Sequence, residues 1–441
     1  MSRFVFTTFG SLGDLHPCIA VAQALTGRGH QAVVAASEDY RAFVESAGVL
    51  FAPVRPNISE MGDYPSLVVK VFDLYRGPEF LIRRMVMPHL RASFDDLIQA
   101  SAGADLLVSH PLTVTLQLVA QRRGLPWVAT VLSPLSFMSI YDPPLIAAMP
   151  WLRRFGTGLH RLMFGLFRFI VGSWEGPLRK FRKELGMPPS KQVALMEGQF
   201  SPLCNLALFD PQLATPQPDW PPHVKTCGAP IYDGDAENPS ALAELEDFLV
   251  AGDAPVVFAL GSSAIWMGGD FWANAAKAAQ RLGRRAILLT GPNLPENLPQ
   301  GVKAFAYLPY SKVFPRAAVI VHHAGIGTLA QAMRAGRPQL IVPVAFDQPD
   351  NAQRAAALGI ARTIPFRKAT ADRLVEELEP LLTQMDYAEK ARVISAELAR
   401  VDGAQHAADA LIECLRKADS GRTKNDGDQS AQAKAPGVPV D

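Results

Sequence analysis

The sequence predicts an α/β protein of two doubly wound parallel-sheet domains, and three observations lead there. A strand, glycine turn, helix and strand follow one another from Phe4 to Ala36. The same unit recurs from Val319 to Val344. Between them, from Ala214 to Pro239, the chain turns rich in proline, glycine and aspartate, as a domain connection does. Strands alternating with helices make parallel sheets, because each crossover helix covers a face of the sheet. With 441 residues, 49% hydrophobic and 19% charged, there is apolar material for two cores.

In order, Phe4 to Phe9 reads as a first strand and residues 10–14 (GSLGD) as a turn. Pro17 sits where a first helical turn tolerates it, and Ile19, Ala20, Ala22, Ala24 and Leu25 form an apolar face that Gly27 to His30 ends. Gln31 to Ala36 is the second strand. Asp105 to Ser109 and Pro126 to Leu132 are strands on either side of a helix from Leu112 to Arg123. From Tyr141 to Gln199 bulky apolar residues mix with arginines, helical but without strand rhythm. Val256 to Leu260 starts a second sheet, continued by a helix (Phe271 to Leu282) and strands at Ala286 to Leu289 and Lys303 to Tyr307. Val319 to Val321 leads through a glycine turn into a helix that Gly336 ends and Pro338 blocks. Leu340 to Val344 follows, then helices at Ala371 to Leu382, Tyr387 to Leu398 and Ala404 to Ala418. The expected organisation is a first domain at 1–215, a connection at 216–240, a second domain at 241–400, a helix at 401–418 and a disordered polar tail at 419–441.

Composition removes several function classes. A net charge of +1 gives no basic excess for nucleic acid. Cys18, Cys204, Cys227 and Cys414 lie far apart without C-x-x-C spacing, which suits a reducing cytoplasm. The amino terminus enters a strand at once and lacks the form of a signal peptide. No uncharged apolar run is long enough to span a bilayer. D-x-D spacings at Asp233-Gly234-Asp235 and Asp426-Gly427-Asp428 fall in polar sequence without a preceding strand, so no metal site is expected.

Two stretches carry chemistry. In HHAGIGT (His322 to Thr328) a helix begins at a glycine turn, so free N–H groups and the positive dipole end meet whatever binds there. Gly325 and Gly327 let backbone approach closely; Thr328 and His323 add donors. Asp347 and Gln348, past the next strand, stand where open α/β sheets bind ligands and suit sugar hydroxyls. The second stretch, GSLGDLHP (Gly10 to Pro17), ends the first strand of the other domain and presents Asp14 on its turn. Asp14 reads equally as a helix cap or as a general base.

HHAGIGT, AGRPQ and DQPDNAQR strongly resemble the donor-binding signature of family 1 and family 28 glycosyltransferases, with Ala324 in place of one glycine. The resemblance implies the GT-B architecture, two Rossmann-like domains across a cleft, the last helix crossing back to the first domain. It implies a nucleotide-sugar co-substrate and no cofactor. Asp14 is the implied base of an inverting transfer. The donor would meet Gly13, Ser262, Ser263, Tyr307, Leu308, His322, His323, Gly325, Gly327, Thr328, Asp347 and Gln348. The resemblance puts His16 and His110 on the acceptor side; His110 stands where plant relatives carry an aspartate, and with Asp14 as base no carboxylate relay is required. The tryptophan and glutamine of plant enzymes are missing near Tyr307, so no nucleotide is selected. The wider pattern looks closest to bacterial rhamnosyltransferases that make rhamnolipids and also resembles sterol and antibiotic glycosyltransferases, which points to a lipophilic acceptor and a UDP- or dTDP-linked hexose or deoxyhexose. For 151–174 three readings stand open: packing helices, a lipid-acceptor groove, or peripheral contact with the inner face of a membrane. A GT-B nucleotide-sugar epimerase and a non-catalytic GT-B partner are the alternatives. A dinucleotide oxidoreductase fails because GSLG is not G-x-G-x-x-G.

Overall fold

A computed structural model of the chain describes residues 1–146, 148–234 and 238–432, with side chains through residue 420. Among the described residues, seven parallel strands form the first sheet: β1 (Arg3–Thr7), β2 (Gln31–Ala36), β3 (Leu50–Pro53), β4 (Leu106–Ser109), β5 (Trp127–Val131), β6 (Asn205–Ala207) and β7 (Val224–Thr226). Their order is β3-β2-β1-β4-β5-β6-β7. Six form the second: β8 (Val256–Ala259), β9 (Ala286–Leu289), β10 (Val302–Phe305), β11 (Val319–His322), β12 (Gln339–Ile341) and β13 (Ala361–Thr363), in the order β10-β9-β8-β11-β12-β13. The central strands β4, β8, β9 and β11 are buried along their whole length. That burial on both faces is why they read as unbroken apolar runs. The sheets match the GT-B expectation.

Strand order fixes where a ligand can bind. In each sheet the winding reverses at one point, between β1 and β4 in the first and between β8 and β11 in the second. A crevice opens there, at the carboxyl ends of the strands. Asp14 and His110 follow β1 and β4; Gly261 and His323 follow β8 and β11.

The helices used below are α1 (Leu12–Thr26), α2 (Tyr64–Val71), α3 (Thr157–Trp174), α4 (Gly176–Glu184), α5 (Ile326–Arg334), α6 (Gln348–Ala357) and α7 (Gly403–Gln432). α7 crosses back to the first domain. Its Ala407, Ala408, Leu411 and Leu415 share one core with Leu15, Ile19 and Ala22 of α1.

Two boundaries differ from the sequence reading. The stretch assigned to the connection, 216–240, contains β7, so the first domain reaches Thr226. β7 is a three-residue, half-exposed edge strand after PDWPP, too short to show a period. The last helix also runs beyond 418 to Gln432, since no proline interrupts 419–432. The rest of the tail, 433–441, lies outside the described residues.

Buried ion pairs join the halves. Arg334, ending α5, bonds Asp210 Oδ2 at 2.7 Å, and Asp210 is fully buried. Arg354 of α6 bonds Asp350 Oδ2 at 2.7 Å, Asp142 Oδ2 at 2.6 Å and the Leu213 carbonyl at 3.0 Å. The other Asp350 oxygen accepts from the Leu145 amide at 2.8 Å. Both helices that begin at the second domain's cleft loops are thus anchored, further along, to carboxylates of the first domain.

Candidate active site

The Asp14 carboxylate is held from both sides. Ser11 caps α1, and Asp14 is its N3 residue rather than the cap itself. Asp14 Oδ2 accepts from the Ser11 amide at 2.7 Å and the Ser11 hydroxyl at 3.1 Å, completing a capping box. Gly10 makes this approach possible: at φ +140° it carries no Cβ, which would stand 2.3 Å from Asp14 Oδ2. The other oxygen, Oδ1, lies 3.2 Å from His110 Nε2. His110 Nδ1 accepts from the Leu112 amide at 3.3 Å, so the ring proton sits on Nε2 and is donated to Asp14. Asp14 after β1 and His110 after β4 thus form a hydrogen-bonded pair at the switch point of the first sheet.

His16, the other acceptor-side residue, lines the cleft but packs sideways. Its ring stacks on Phe43 at 5.4 Å and meets Tyr232 edge-on at 5.3 Å. Burial pulls its pKa down to about 4, with Asp233 opposing. Asp233, from the first D-x-D spacing, accepts from the Tyr310 and Ser311 amides at 3.1 and 2.7 Å and so caps a helix turn; Asp235 lies outside the described residues.

On the second domain the imidazole of His323 fills space that two glycines leave open. A Cβ on Gly261, which sits at φ +70°, would stand 2.4 Å from its Cε1, and one on Gly325 2.5 Å from its Nε2. Burial, reinforced by His322, lowers the His323 pKa to about 3. The ring is neutral at physiological pH and offers one N–H. Replacing Gly261 by Ala should push the imidazole away and force a left-handed residue, costing about 1–2 kcal/mol of stability. Calorimetry should then show nucleoside-diphosphate affinity weakened by about tenfold or more; unchanged affinity would remove His323 from the donor site.

The assignment of His322 to the donor is corrected. It is fully buried, with Nε2 on Gln339 Oε1 at 2.9 Å and Nδ1 accepting from the Ala324 amide at 3.1 Å. Both nitrogens are occupied; His322 fixes the turn that leaves Ala324 at φ 64°. The other expected donor residues, Gly13, Ser262, Ser263, Tyr307, Leu308, Gly325, Gly327, Thr328, Asp347 and Gln348, all line the cleft with His323. Gln348 Oε1 accepts from the Val344 and Ala345 amides at 2.8 and 3.2 Å, which leaves its NH₂ to donate.

Asp347 Oδ2 accepts from Asn351 at 2.7 Å. Burial pushes its pKa up to about 7; the Asn351 bond opposes this, and the charges of Asp14 and Asp350 add to it. Asp14 is thus near enough across the cleft to be felt by Asp347. Folded protein then holds a proton on Asp347 that unfolded chain releases above the ordinary carboxyl range near 4. Stability should fall as pH rises from about 4 to 7. Denaturant midpoints should show a shallower fall in Asp347→Asn; parallel slopes would place that titration elsewhere.

The cleft measures about 600 Å³. Its first-domain wall is apolar, built from residues such as Ile58, Leu67, Val68, Val71, Leu81 and Met85. Sequence reasoning missed this wall, and also the aromatic pairs that close it, Tyr64–Trp266 at 5.9 Å and Phe72–Phe346 at 5.5 Å. Among the described residues that line it there is no Lys or Arg. A larger, more open depression of about 1080 Å³ lies beside α3; its Arg168 is already paired with Glu197, and Asp219 accepts from Ser139.

Comparison with known proteins agrees with this fold. Residues 4–89 match the glycosyltransferase family 28 N-terminal domain, and 289–414 the erythromycin biosynthesis protein CIII-like C-terminal domain. O-mycaminosyltylonolide 6-deoxyallosyltransferase of Streptomyces fradiae is 31% identical over 93% of this chain and 97% of its own. A sterol 3-beta-glucosyltransferase of Arabidopsis thaliana is 27% identical over 86% of this chain and 60% of its own. Among solved structures, spinosyn rhamnosyltransferase SpnG complexed with thymidine diphosphate superposes with a TM-score of 0.65 at 18% identity, covering 94% of this chain and all of that one.

Proposed function

The chain belongs to the glycosyltransferase family of O-mycaminosyltylonolide 6-deoxyallosyltransferase, and from that premise we propose that it transfers a hexosyl or 6-deoxyhexosyl group, with inversion and without a metal, to a hydroxyl of a neutral lipophilic acceptor. The observation that carries this reading is Asp14, fixed by Ser11 and His110 at one switch point and facing the anion-ready helix start at the other.

Asp14 Oδ1 accepts the acceptor proton as the acceptor oxygen bonds to the anomeric carbon. The bond from that carbon to the diphosphate breaks, and the nucleoside diphosphate leaves with the electron pair. The first amides of α5, the Thr328 hydroxyl and the His323 N–H meet its growing charge. A single displacement, with attack from the Asp14 side and departure toward α5, inverts the anomeric centre. Asp347 and the Gln348 NH₂ take the sugar hydroxyls in this reading; both line the cleft. Helix-start donors already cover the leaving group, so a cation is not required there.

Acceptor class follows from the wall and its charge. An apolar surface without Lys or Arg, facing Asp14 and Asp347, would leave an acceptor carboxylate unpaired, which is costly. Neutral ring systems fit this wall better than hydroxy acids do. The names of the relatives, a 6-deoxyallosyl transferase and a sterol glucosyltransferase, support the same reading, and the thymidine diphosphate in SpnG supports a dTDP-linked donor.

A matrix of dTDP- and UDP-sugars against a sterol, a macrolide aglycone and a 3-hydroxy fatty acid tests this, with product configuration read by NMR. Inverted products on the neutral acceptors are expected. Retained configuration, or transfer confined to the hydroxy acid, overturns it.

A further inference from the structure

The α3–α4 segment concentrates charge and exposed apolar surface that the transfer reaction does not use. Residues 151–191 hold nine Lys and Arg against two Glu, a net of +7 in a chain of net +1. The remaining sequence therefore carries −6. Both acids are engaged: Glu175 is buried and accepts from the Ala194 and Leu195 amides, and Glu184 pairs with Arg91 at 2.6 Å. Arg154, Arg161, Lys180 and Lys183 are exposed and have no ion-pair partner among the described residues.

One stripe of α3 is apolar and faces solvent. Leu162, Leu166, Phe169 and Ile170 are 68, 49, 74 and 39% exposed. Spacings of four, seven and eight put them on one face, opposite His160 and Phe164, which pack inward. Just before the helix, Trp151 and Phe155 are also exposed and touch edge to face at 5.8 Å. Arg161 and Arg168 flank the stripe. A helix with this division lies in a bilayer interface. Cations beside it favour anionic headgroups. Among the described residues no helix is long and apolar enough to cross a membrane.

We propose that the α3–α4 segment is a peripheral docking surface for an anionic lipid bilayer. Its apolar stripe enters the interface while Arg154, Arg161, Lys180 and Lys183 meet the headgroups. This goes beyond glycosyl transfer and does not depend on it: the surface binds vesicles whether or not a sugar is moved.

Co-sedimentation of the full chain with vesicles tests it, comparing phosphatidylcholine alone with phosphatidylcholine mixed with phosphatidylglycerol. The intact protein should partition onto the anionic vesicles and be released by high salt, as screening demands. Phe169→Glu and the pair Arg154→Glu, Arg161→Glu should each weaken partitioning by about tenfold, with circular dichroism and nucleotide binding unchanged. Equal sedimentation with both vesicle types, or undiminished binding of both variants, overturns the proposal. So does a lipid-free dimer that Phe169→Glu dissociates, because the stripe would then cover a second copy of the chain.

Discussion

Asp14→Asn is expected to lower kcat by about 10³-fold while nucleotide-sugar binding stays intact. The substitution is nearly isosteric, and the new amide oxygen can still accept from the Ser11 amide and hydroxyl, so α1 keeps its cap. Its NH₂ then faces His110 Nε2, donor against donor, and the 3.2 Å contact is lost. No group remains to take the acceptor proton. Asp14→Ala would add the loss of the capping box and confuse catalysis with stability. Separate measurement of kcat, of donor affinity by calorimetry and of melting temperature isolates the base. Turnover within about tenfold of the wild type would remove Asp14 from that role. A positioning role for His110 predicts that His110→Gln, which retains a donor, loses less kcat than His110→Ala with donor KM the same in both.

Arg354→Met carries the largest expected effect on stability, a loss of about 3 kcal/mol or more. The guanidinium is nearly buried and serves Asp350, Asp142 and the Leu213 carbonyl together. Removing it strands Asp350, which is fully buried, with the Leu145 amide as its remaining partner. A methionine fills the volume of the side-chain stem but neutralises nothing. Adding Asp350→Asn should restore part of the loss, since a neutral amide is less costly to bury than an unpaired carboxylate. Urea titration of the single and double variants checks both statements. A loss below about 1 kcal/mol for Arg354→Met would mean that water reaches the pair freely, as at a surface salt bridge.

Much of the fold was legible because its central strands are buried on both faces and its glycine turns recur at both switch points. Short edge strands such as β7 and β13 were not, since three residues show no period. The donor signature was legible as a block but not residue by residue. His322 and His323 are adjacent, yet successive side chains of an extended segment point to opposite sides. One is sealed against Gln339 and the other reaches the cleft. The Asp14–His110 contact spans 96 residues and needs β1 beside β4, a fact of topology that no local spacing carries. Arg354 and Asp142, 212 residues apart, are invisible for the same reason.

The return of α7 to the first domain has a consequence for the order in which the molecule is made. Ala407, Ala408, Leu411 and Leu415 are translated after the whole second domain, yet they close the core around Leu15 and Ile19. Domains usually fold as they emerge, amino-terminal first. Here the unit begun first is completed last, and until α7 arrives it presents the apolar face of α1 to the cell. The helix that bears Asp14 therefore gains its final support only when the donor half already exists. Assembly of the turn that carries Asp14 is thereby tied to the synthesis of α7.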